Sequence, residues 1–281
     1  MVSIDVILCC YNQEHYIVKA LDSILCQKVD AEVRLIVADD GSSDRTLEIV
    51  KNHEAKSPFP FVYFKNNGNI GMQANYKRAF AVCKSEYVAI LEGDDWWSSD
   101  QHLAQHIAFL QKHPSYSMSF NRISYYHQEN GTYKVDKWPY NKDYVAIKIR
   151  HQLGWGNQIG NLSSCVFRTN LLHGLPEQFF KLKFADWELG VMMALKGPIA
   201  ELKDSTSVYR INSKGQWTAL SADDRNVSEN NTLNDLSPLL PLYCNKYIRM
   251  YKKMLDSHEQ PPYQIPFGTR SKMFLKHVVK K

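Results

Sequence analysis

A chain of 281 residues, 44% hydrophobic and 22% charged, is long enough to bury about three quarters of its unfolded surface, which excludes a disordered or fibrous protein. Its net charge of +5 is unevenly spread: residues 245–281 hold nine Lys/Arg against two Asp/Glu, a net +7, which leaves −2 for residues 1–244. The basic balance therefore belongs to the tail, and no general nucleic-acid affinity is expected of the body. No run of about 18 apolar residues occurs, so no membrane-spanning helix is expected. The apolar start, Met1 to Tyr11, has no basic residue before it and reads as a strand rather than a signal peptide. The six cysteines, Cys9, Cys10, Cys26, Cys83, Cys165 and Cys244, form no CxxC pair and sit mostly in apolar segments, which points to a reduced, cytosolic protein.

In chain order, the first hundred residues alternate between two periods. Ile4 to Cys10 is a short apolar run, read as a buried strand, and Ile17, Ala20, Leu21, Ile24 and Leu25 have helical spacing. Val33 to Ala38 is a second strand, ending in Asp39-Asp40-Gly41-Ser42-Ser43-Asp44, where Ser42 or Ser43 can cap the helix through Leu47 and Val50. Phe61 to Phe64 is a third strand, and Asn66-Asn67-Gly68-Asn69 turns the chain into a helix with Met72, Tyr76, Ala79, Phe80 and Cys83. Tyr87 to Leu91 is a fourth, stopping at Glu92-Gly93-Asp94-Asp95, with a helix through Leu103, Ile107 and Leu110 after it. This order predicts an α/β fold with a mostly parallel sheet and helices on both faces. In such sheets ligands bind at the carboxyl ends of the strands, and three of those ends carry polar clusters: Tyr11-Asn12, Asp39-Asp40 and Asp94-Asp95.

Beyond residue 115 the pattern changes. Ser117 to His127 and Thr132 to Val135 flank Glu129-Asn130-Gly131, a hairpin signal. An irregular stretch rich in Trp, Tyr and Gly runs from Trp138 to Gly160; Ser163 to Phe167 reads as a strand, and Trp187 to Leu195 as a short helix stopped by Gly197-Pro198. The functional division falls near residue 115, with residues 1–115 expected to serve a nucleotide, 116–244 an acceptor, and 245–281 forming a basic tail.

Asp94 and Asp95, with Glu92 nearby, concentrate negative charge that a hard divalent cation such as Mg²⁺ or Mn²⁺ would relieve; acids at a helix start give the plainer reading. Asp39-Asp40 can accept hydrogen bonds from a base or ribose, or simply form a cap and turn. Asp186, in Phe184-Ala185-Asp186-Trp187-Glu188-Leu189, can serve as a general base or as a helix cap. There is no GxGxxG after a strand, no GxxxxGK[ST] and no GxSxG. His102 and His106 lack the glutamate of HExxH and read as solvent-facing. Of Trp96, Trp97, Trp138, Trp155, Trp187 and Trp217, most read as core or pocket wall and one or two as sugar contacts.

In order and spacing these segments resemble family 2 glycosyltransferases of the GT-A fold. Val6-Ile7-Leu8-Cys9-Cys10-Tyr11-Asn12 is similar to the family's opening strand and its "YN" end. Ile36-Val37-Ala38-Asp39-Asp40-Gly41-Ser42-Ser43-Asp44-Arg45-Thr46 resembles "VDDGSTDxT", and Asn69-Ile70-Gly71-Met72-Gln73-Ala74-Asn75 resembles "NxGxxxAxN". Leu91-Glu92-Gly93-Asp94-Asp95-Trp96-Trp97 stands at the "DXD" metal motif, and Ala185-Asp186-Trp187-Glu188-Leu189 resembles "EDWDL". Glu92 replaces the first Asp of "DXD", and Ala185 the Glu of "ED".

The resemblance implies a metal-dependent, inverting transfer from a nucleotide-diphospho-sugar to an acceptor hydroxyl, in bacterial surface polysaccharide or lipid-linked glycan synthesis. It implies that Cys9, Tyr11, Asn12, Asp39, Asp40, Asn69, Gly71 and Asp94 line the nucleotide, with Tyr11 and Asp40 on the base. Asp95 and Asp94 would hold Mg²⁺ or Mn²⁺, Asp186 would deprotonate the acceptor, and Trp97, Trp187, Glu188 and Arg210 would border the acceptor and sugar pocket. The rival readings are a sugar-nucleotide pyrophosphorylase, which would need a basic glycine-rich loop that Cys9-Cys10-Tyr11-Asn12-Gln13 does not supply, and a non-catalytic carbohydrate-binding protein. In the tail, Lys272, Lys276 and Lys280 share one helical face and Phe274, Leu275, Val278 and Val279 another. This raises two expectations for residues 270–281: peripheral contact with an anionic membrane on its inner, cytoplasmic face, or a solvated terminal helix packed on the body.

Overall fold

A computed structural model describes residues 1–64, 68–135, 137–182, 186–211 and 220–256. Strands β1 (Ser3–Cys10), β2 (Glu32–Asp39), β3 (Phe61–Tyr63) and β4 (Tyr87–Glu92) alternate with helices α1 (Ile17–Leu25), α2 (Thr46–Glu54) and α3 (Met72–Val82). Next come β5 (Trp96–Trp97), α4 (His102–Lys112), the hairpin β6 (Met118–His127) and β7 (Thr132–Val135), β8 (Tyr144–Ile147), α5 (Ile149–Gly154), β9 (Cys165–Arg168) and α6 (Thr169–His173). The described chain closes with α7 (Asp186–Lys196), β10 (Ile199–Ile211), α8 (Ala222–Leu236) and α9 (Asn245–Asp256).

Among the described residues, ten strands join one sheet in the order β3-β2-β1-β4-β9-β6-β10-β5, with β7 on β6 and β8 on β10. β3, β2, β1 and β4 are mutually parallel, whereas β9 runs antiparallel between β4 and β6. Continuous apolar runs mark strands covered on both faces. Alternate side chains of β1, β2 and β4 serve two cores. Val6, Leu8, Leu35, Val37, Ala89 and Leu91 meet Ile17, Leu21 and Ile24 of α1 and Leu103 and Leu110 of α4. Ile7, Ile36, Val88 and Ile90 meet Tyr76 and Phe80 of α3 on the other face. The functional division placed near residue 115 is not expected to part separately folding domains, and β6, β9 and β10, all beyond it, continue the same sheet.

Two local expectations are corrected. α2 starts at Thr46 with neither Ser42 nor Ser43 as its cap, because Ser42 is drawn to Asp39 and the Ser43 amide donates to Asn12 Oδ1 at 2.8 Å. His102 and His106 are fully buried, not solvent-facing. Each is satisfied at Nδ1, by Thr206 Oγ1 and Ser119 Oγ, both at 2.8 Å. Burial holds both rings neutral, and pushes His106 down to about 4. Of the other expectations, Asn66, Asn67, Phe184, Ala185, Trp217 and the tail beyond residue 256 lie outside the described residues.

The amino-terminal end of the parallel strands is held by charge. Asp5 is fully buried and accepts from Arg34 Nε at 2.7 Å and Nη2 at 2.8 Å, from the amides of Lys84 and Ser85, and from Ser85 Oγ. Burial alone would raise its pKa, but these donors bring it below the ordinary value. Removing one partner of a buried pair strands the other. Asp5→Ala is therefore expected to lower stability by about 3–5 kcal/mol in urea unfolding; a loss under about 1 kcal/mol would show that the pair is dispensable.

Candidate functional site

The pairing of β1 with β2 and with β4 sets Cys9 level with Ala38 on one side and Glu92 on the other. The segments that leave these strands therefore emerge along one edge: Cys10-Tyr11-Asn12, Asp39-Asp40 and Glu92 to Asp95. Asp39 Oδ2 accepts from the amides of Gly41 at 3.2 Å and Ser42 at 3.1 Å, and its Oδ1 from Ser42 Oγ. Asp40 takes the amides of Ile70 at 2.9 Å and Gly71 at 3.0 Å, which ties the end of β2 to the turn before α3. The fit is close: a Cβ on Gly41, whose φ is +77°, would lie 2.4 Å from the carbonyl carbon of Gly68. Asn12, at φ 51°, adopts the left-handed conformation that asparagine tolerates, and its amide donates to Ser42 Oγ at 2.9 Å.

Asp39 and Asp40 are thus engaged in shaping the floor of the edge. Tyr11, Asn12 and Asn69 are its exposed side chains. Cys9 accepts from Asn75 Nδ2 at 3.5 Å, and burial pushes its thiol up to about 12, so it stays protonated.

Two of the carboxyls at the end of β4 differ sharply in their surroundings. Asp94 is half-buried, with a hydrogen bond from the Gln13 side chain. Asp95 is fully buried: its Oδ1 accepts from the Arg210 amide at 2.9 Å, and its Oδ2 from Ser163 Oγ at 2.6 Å and Asn161 Nδ2 at 2.9 Å. Asp95, which the sequence reading placed on the metal together with Asp94, is thus enclosed by donors, while Asp94 beside it is half-buried. Arg210 donates Nε to the Asp94 carbonyl at 2.7 Å and lies 4.8 Å over the rings of both Tyr16 and Trp96.

Asp186 opens α7 and accepts from Asn157 Nδ2 at 2.6 Å. The segment that supplies Asn157 also supplies Asn161 and Ser163 to Asp95. Ser163 Oγ in addition accepts the Glu92 amide at 3.1 Å. One stretch of seven residues, 157–163, thus connects Asp186 to the acidic end of β4. Their charges meet: burial first, and then repulsion from Asp95, Asp94 and Asp186, raises Glu92 well above the ordinary carboxylate value. Burial likewise raises Asp94, Asp95 and Asp186, in Asp186 against the lowering effect of the Asn157 bond.

Three expected pocket residues stand behind this surface instead of on it. Trp97 is buried, donates Nε1 to the Ser163 carbonyl at 2.8 Å and stacks on His102. Trp187 is buried and donates to the Gln152 carbonyl at 2.8 Å, and Glu188 is buried and accepts from Thr232 at 3.0 Å. Each fills the core because its polar atom finds a partner there. Gln13, Asn157, Asn161 and Ser163 escaped the sequence reading; the one available signal was the irregular stretch around Gly156 and Gly160, which marks a loop inside otherwise patterned chain.

Among the described residues, no group of three or more His, Cys, Asp or Glu is arranged to hold a metal ion. The donor chemistry nonetheless fits Mg²⁺ or Mn²⁺. Glu92 and Asp94 offer hard oxygens from half-buried side chains, a cation would displace the protons that burial and repulsion hold on such carboxyls, and it needs only one or two protein carboxylates beside phosphate oxygens.

This mostly parallel α/β sheet with helices on its faces is a GT-A fold, and two solved structures share it. TarS 1–349 of S. aureus in complex with UDP-GlcNAc superposes with a TM-score of 0.63 at 19% identity, over 91% of this chain and 73% of that one. The mannosyltransferase PcManGT of Pyrobaculum calidifontis, in complex with GDP-Man and Mn²⁺, gives 0.63 at 17% identity, over 99% and 75%. The chain belongs to glycosyl transferase family 2, which matches residues 5–174. An uncharacterized protein of Mycobacterium tuberculosis is 29% identical over 78% of this chain, and an uncharacterized glycosyltransferase of Mycoplasma pneumoniae 28% over 65%. The chain spans 62% and 60% of the lengths of these two relatives.

Carboxyls raised above their unfolded values keep protons that the unfolded chain has lost, so they stabilise the fold at low pH and less as pH rises. Glu92, Asp94, Asp95 and Asp186 are all raised in this way. Without a divalent cation the melting temperature is expected to fall between about pH 5 and about pH 8, with Mn²⁺ adding more stability at the upper end. A Mn²⁺ effect that is absent, or equal at both pH values, would argue against cation binding at these carboxyls.

Proposed function

We propose that the chain transfers a sugar from a nucleotide-diphospho-sugar to an acceptor hydroxyl with inversion, in a bacterial surface-polysaccharide or lipid-linked glycan pathway. The observation that carries this reading is that the stretch 157–163 hydrogen-bonds both Asp186 and Asp95, which brings Asp186 to the acidic end of β4. The neighbours with UDP-GlcNAc and GDP-Man support a donor of this class.

In this mechanism the edge formed by Tyr11, Asn12, Asn69 and Gly71 receives the nucleotide, on a floor set by Asp39 and Asp40. Asp94, with Glu92 beside it, would hold Mg²⁺ or Mn²⁺, whose charge offsets the negative charge that develops on the departing diphosphate. Arg210 anchors the Asp94 backbone, and Asp95, bonded from behind, fixes the turn that presents Asp94. Asp186 accepts the proton of the acceptor hydroxyl, making the oxygen nucleophilic for one in-line displacement. Burial raises its pKa toward the working range of a base, while Asn157 keeps one lobe of the carboxylate oriented. No helix among the described residues is long and apolar enough to cross a membrane; the expected peripheral contact through residues 270–281 concerns a segment outside the described residues.

Asp186→Asn is expected to lower turnover by about 10²–10⁴-fold with little change in donor affinity, measured by release of nucleotide diphosphate and by calorimetry; near-normal turnover would remove Asp186 from the base role. Excess EDTA should abolish transfer and Mn²⁺ restore it, whereas full activity with EDTA would refute the metal requirement. Asn157→Ala removes a donor that lowers the pKa of Asp186, so the acidic limb of kcat/KM is expected to move to higher pH. An unmoved limb would show that Asn157 does not tune the base.

A further inference from the structure

α9 has two contrasting faces. Ile248, Tyr251 and Leu255 are buried on the inner one. The Tyr251 hydroxyl donates to Glu229 Oε2 of α8 at 2.8 Å, and it stands 2.4 Å from where a Cβ on Gly156 would be. On the outer face Lys246, Arg249 and Lys253 are exposed, and their spacing of three and four residues directs them the same way. The turn entering α9 carries two apolar side chains in water, Leu242 at 85% exposure and Tyr243 at 56%. The exposed acids Asp223, Asp224 and Asp235 lie on α8, which packs beside α9 through Tyr251 to Glu229 and Lys252 to Asn234, and Asp256 sits at the far end of α9. This stripe falls in the part of the chain with net +7, against −2 for the rest.

We propose that the outer face of α9, together with Leu242 and Tyr243, docks the protein on an anionic lipid bilayer. A stripe of cations beside an exposed leucine and tyrosine matches a charged headgroup layer above an apolar interior: the cations meet the lipid charges while Leu242 and Tyr243 enter the interface. A purely electrostatic partner would leave the two apolar side chains without a role. The surface lies on the back of the helix whose front touches Gly156, next to Asn157, the partner of Asp186. On the transferase reading proposed above, the bilayer then lies about one helix diameter, ~10 Å, from the loop that orients the base, and the acceptor is one carried at that surface.

Vesicle co-sedimentation of the full chain tests this without any donor or acceptor, so its outcome does not depend on the transferase reading. Binding is expected to vesicles of phosphatidylcholine with phosphatidylglycerol, not to phosphatidylcholine alone, and to weaken with salt. Each cation near an anionic leaflet is worth about fivefold in binding, so the triple variant Lys246→Gln, Arg249→Gln, Lys253→Gln should bind roughly 10²-fold more weakly with its melting temperature unchanged. The pair Leu242→Ser, Tyr243→Ser should also weaken binding at constant charge. Full binding by the triple variant would overturn the proposal and assign any membrane affinity to the basic residues beyond α9. Loss in the triple variant with full binding by the serine pair would overturn the interfacial insertion. Equal binding to both vesicle types, or none to either, would overturn the whole proposal.

Discussion

The burial of the Asp95 carboxylate is the constraint on which the site depends. A fully enclosed carboxylate survives only where donors surround it, and here the donors come from β10 and from the stretch after α5. Satisfying one acid therefore draws three distant parts of the chain together. The turn carrying Asp94 becomes rigid, Arg210 is delivered to the Asp94 carbonyl, and Ser163, by accepting the Glu92 amide, closes the circuit on β4. From the same stretch Asn157 reaches Asp186. The half-buried acids Asp94 and Asp186 are thus tied to the donors that enclose a fully buried neighbour.

Electrostatics and packing work in opposite directions at this edge. Several carboxyls share a small region of low polarity and repel one another, and the fold retains them because hydrogen bonds and the two cores beneath β1, β2 and β4 supply the compensating stability. Such a conflict is enriched where charge has to be available to something that binds.

The first four strands and the helices between them were legible because each segment carries an unambiguous period and ends in turn-forming or acidic residues. β10 was not. Its middle, Glu201-Leu202-Lys203-Asp204-Ser205-Thr206-Ser207, is polar and lacks alternation, and the structure shows why: the register on β6 shifts between Leu202 and Ser207. α8 was missed for a similar reason, since Asp223, Asp224, Asn230, Asn234 and Asp235 dilute its apolar positions. At the site, the carboxylates could be picked out by residue type, but their partners could not. Asn161 lies 66 residues from Asp95, Ser163 68 and Arg210 115, and a hydrogen bond over that separation leaves no local pattern. The same limit misjudged His102 and His106, whose partners Thr206 and Ser119 come from other elements.

The antiparallel insertion of β9 between β4 and β6 has a mechanical consequence. Because it welds the strands before residue 115 to those after it, the two parts of the chain share one hydrogen-bonded sheet. They cannot swing apart as rigid bodies about a hinge. Any opening and closing at the carboxyl edge has to be accomplished by loops and side chains above a fixed platform; on the proposed transferase reading, the spacing between donor and acceptor would then be set when the chain folds.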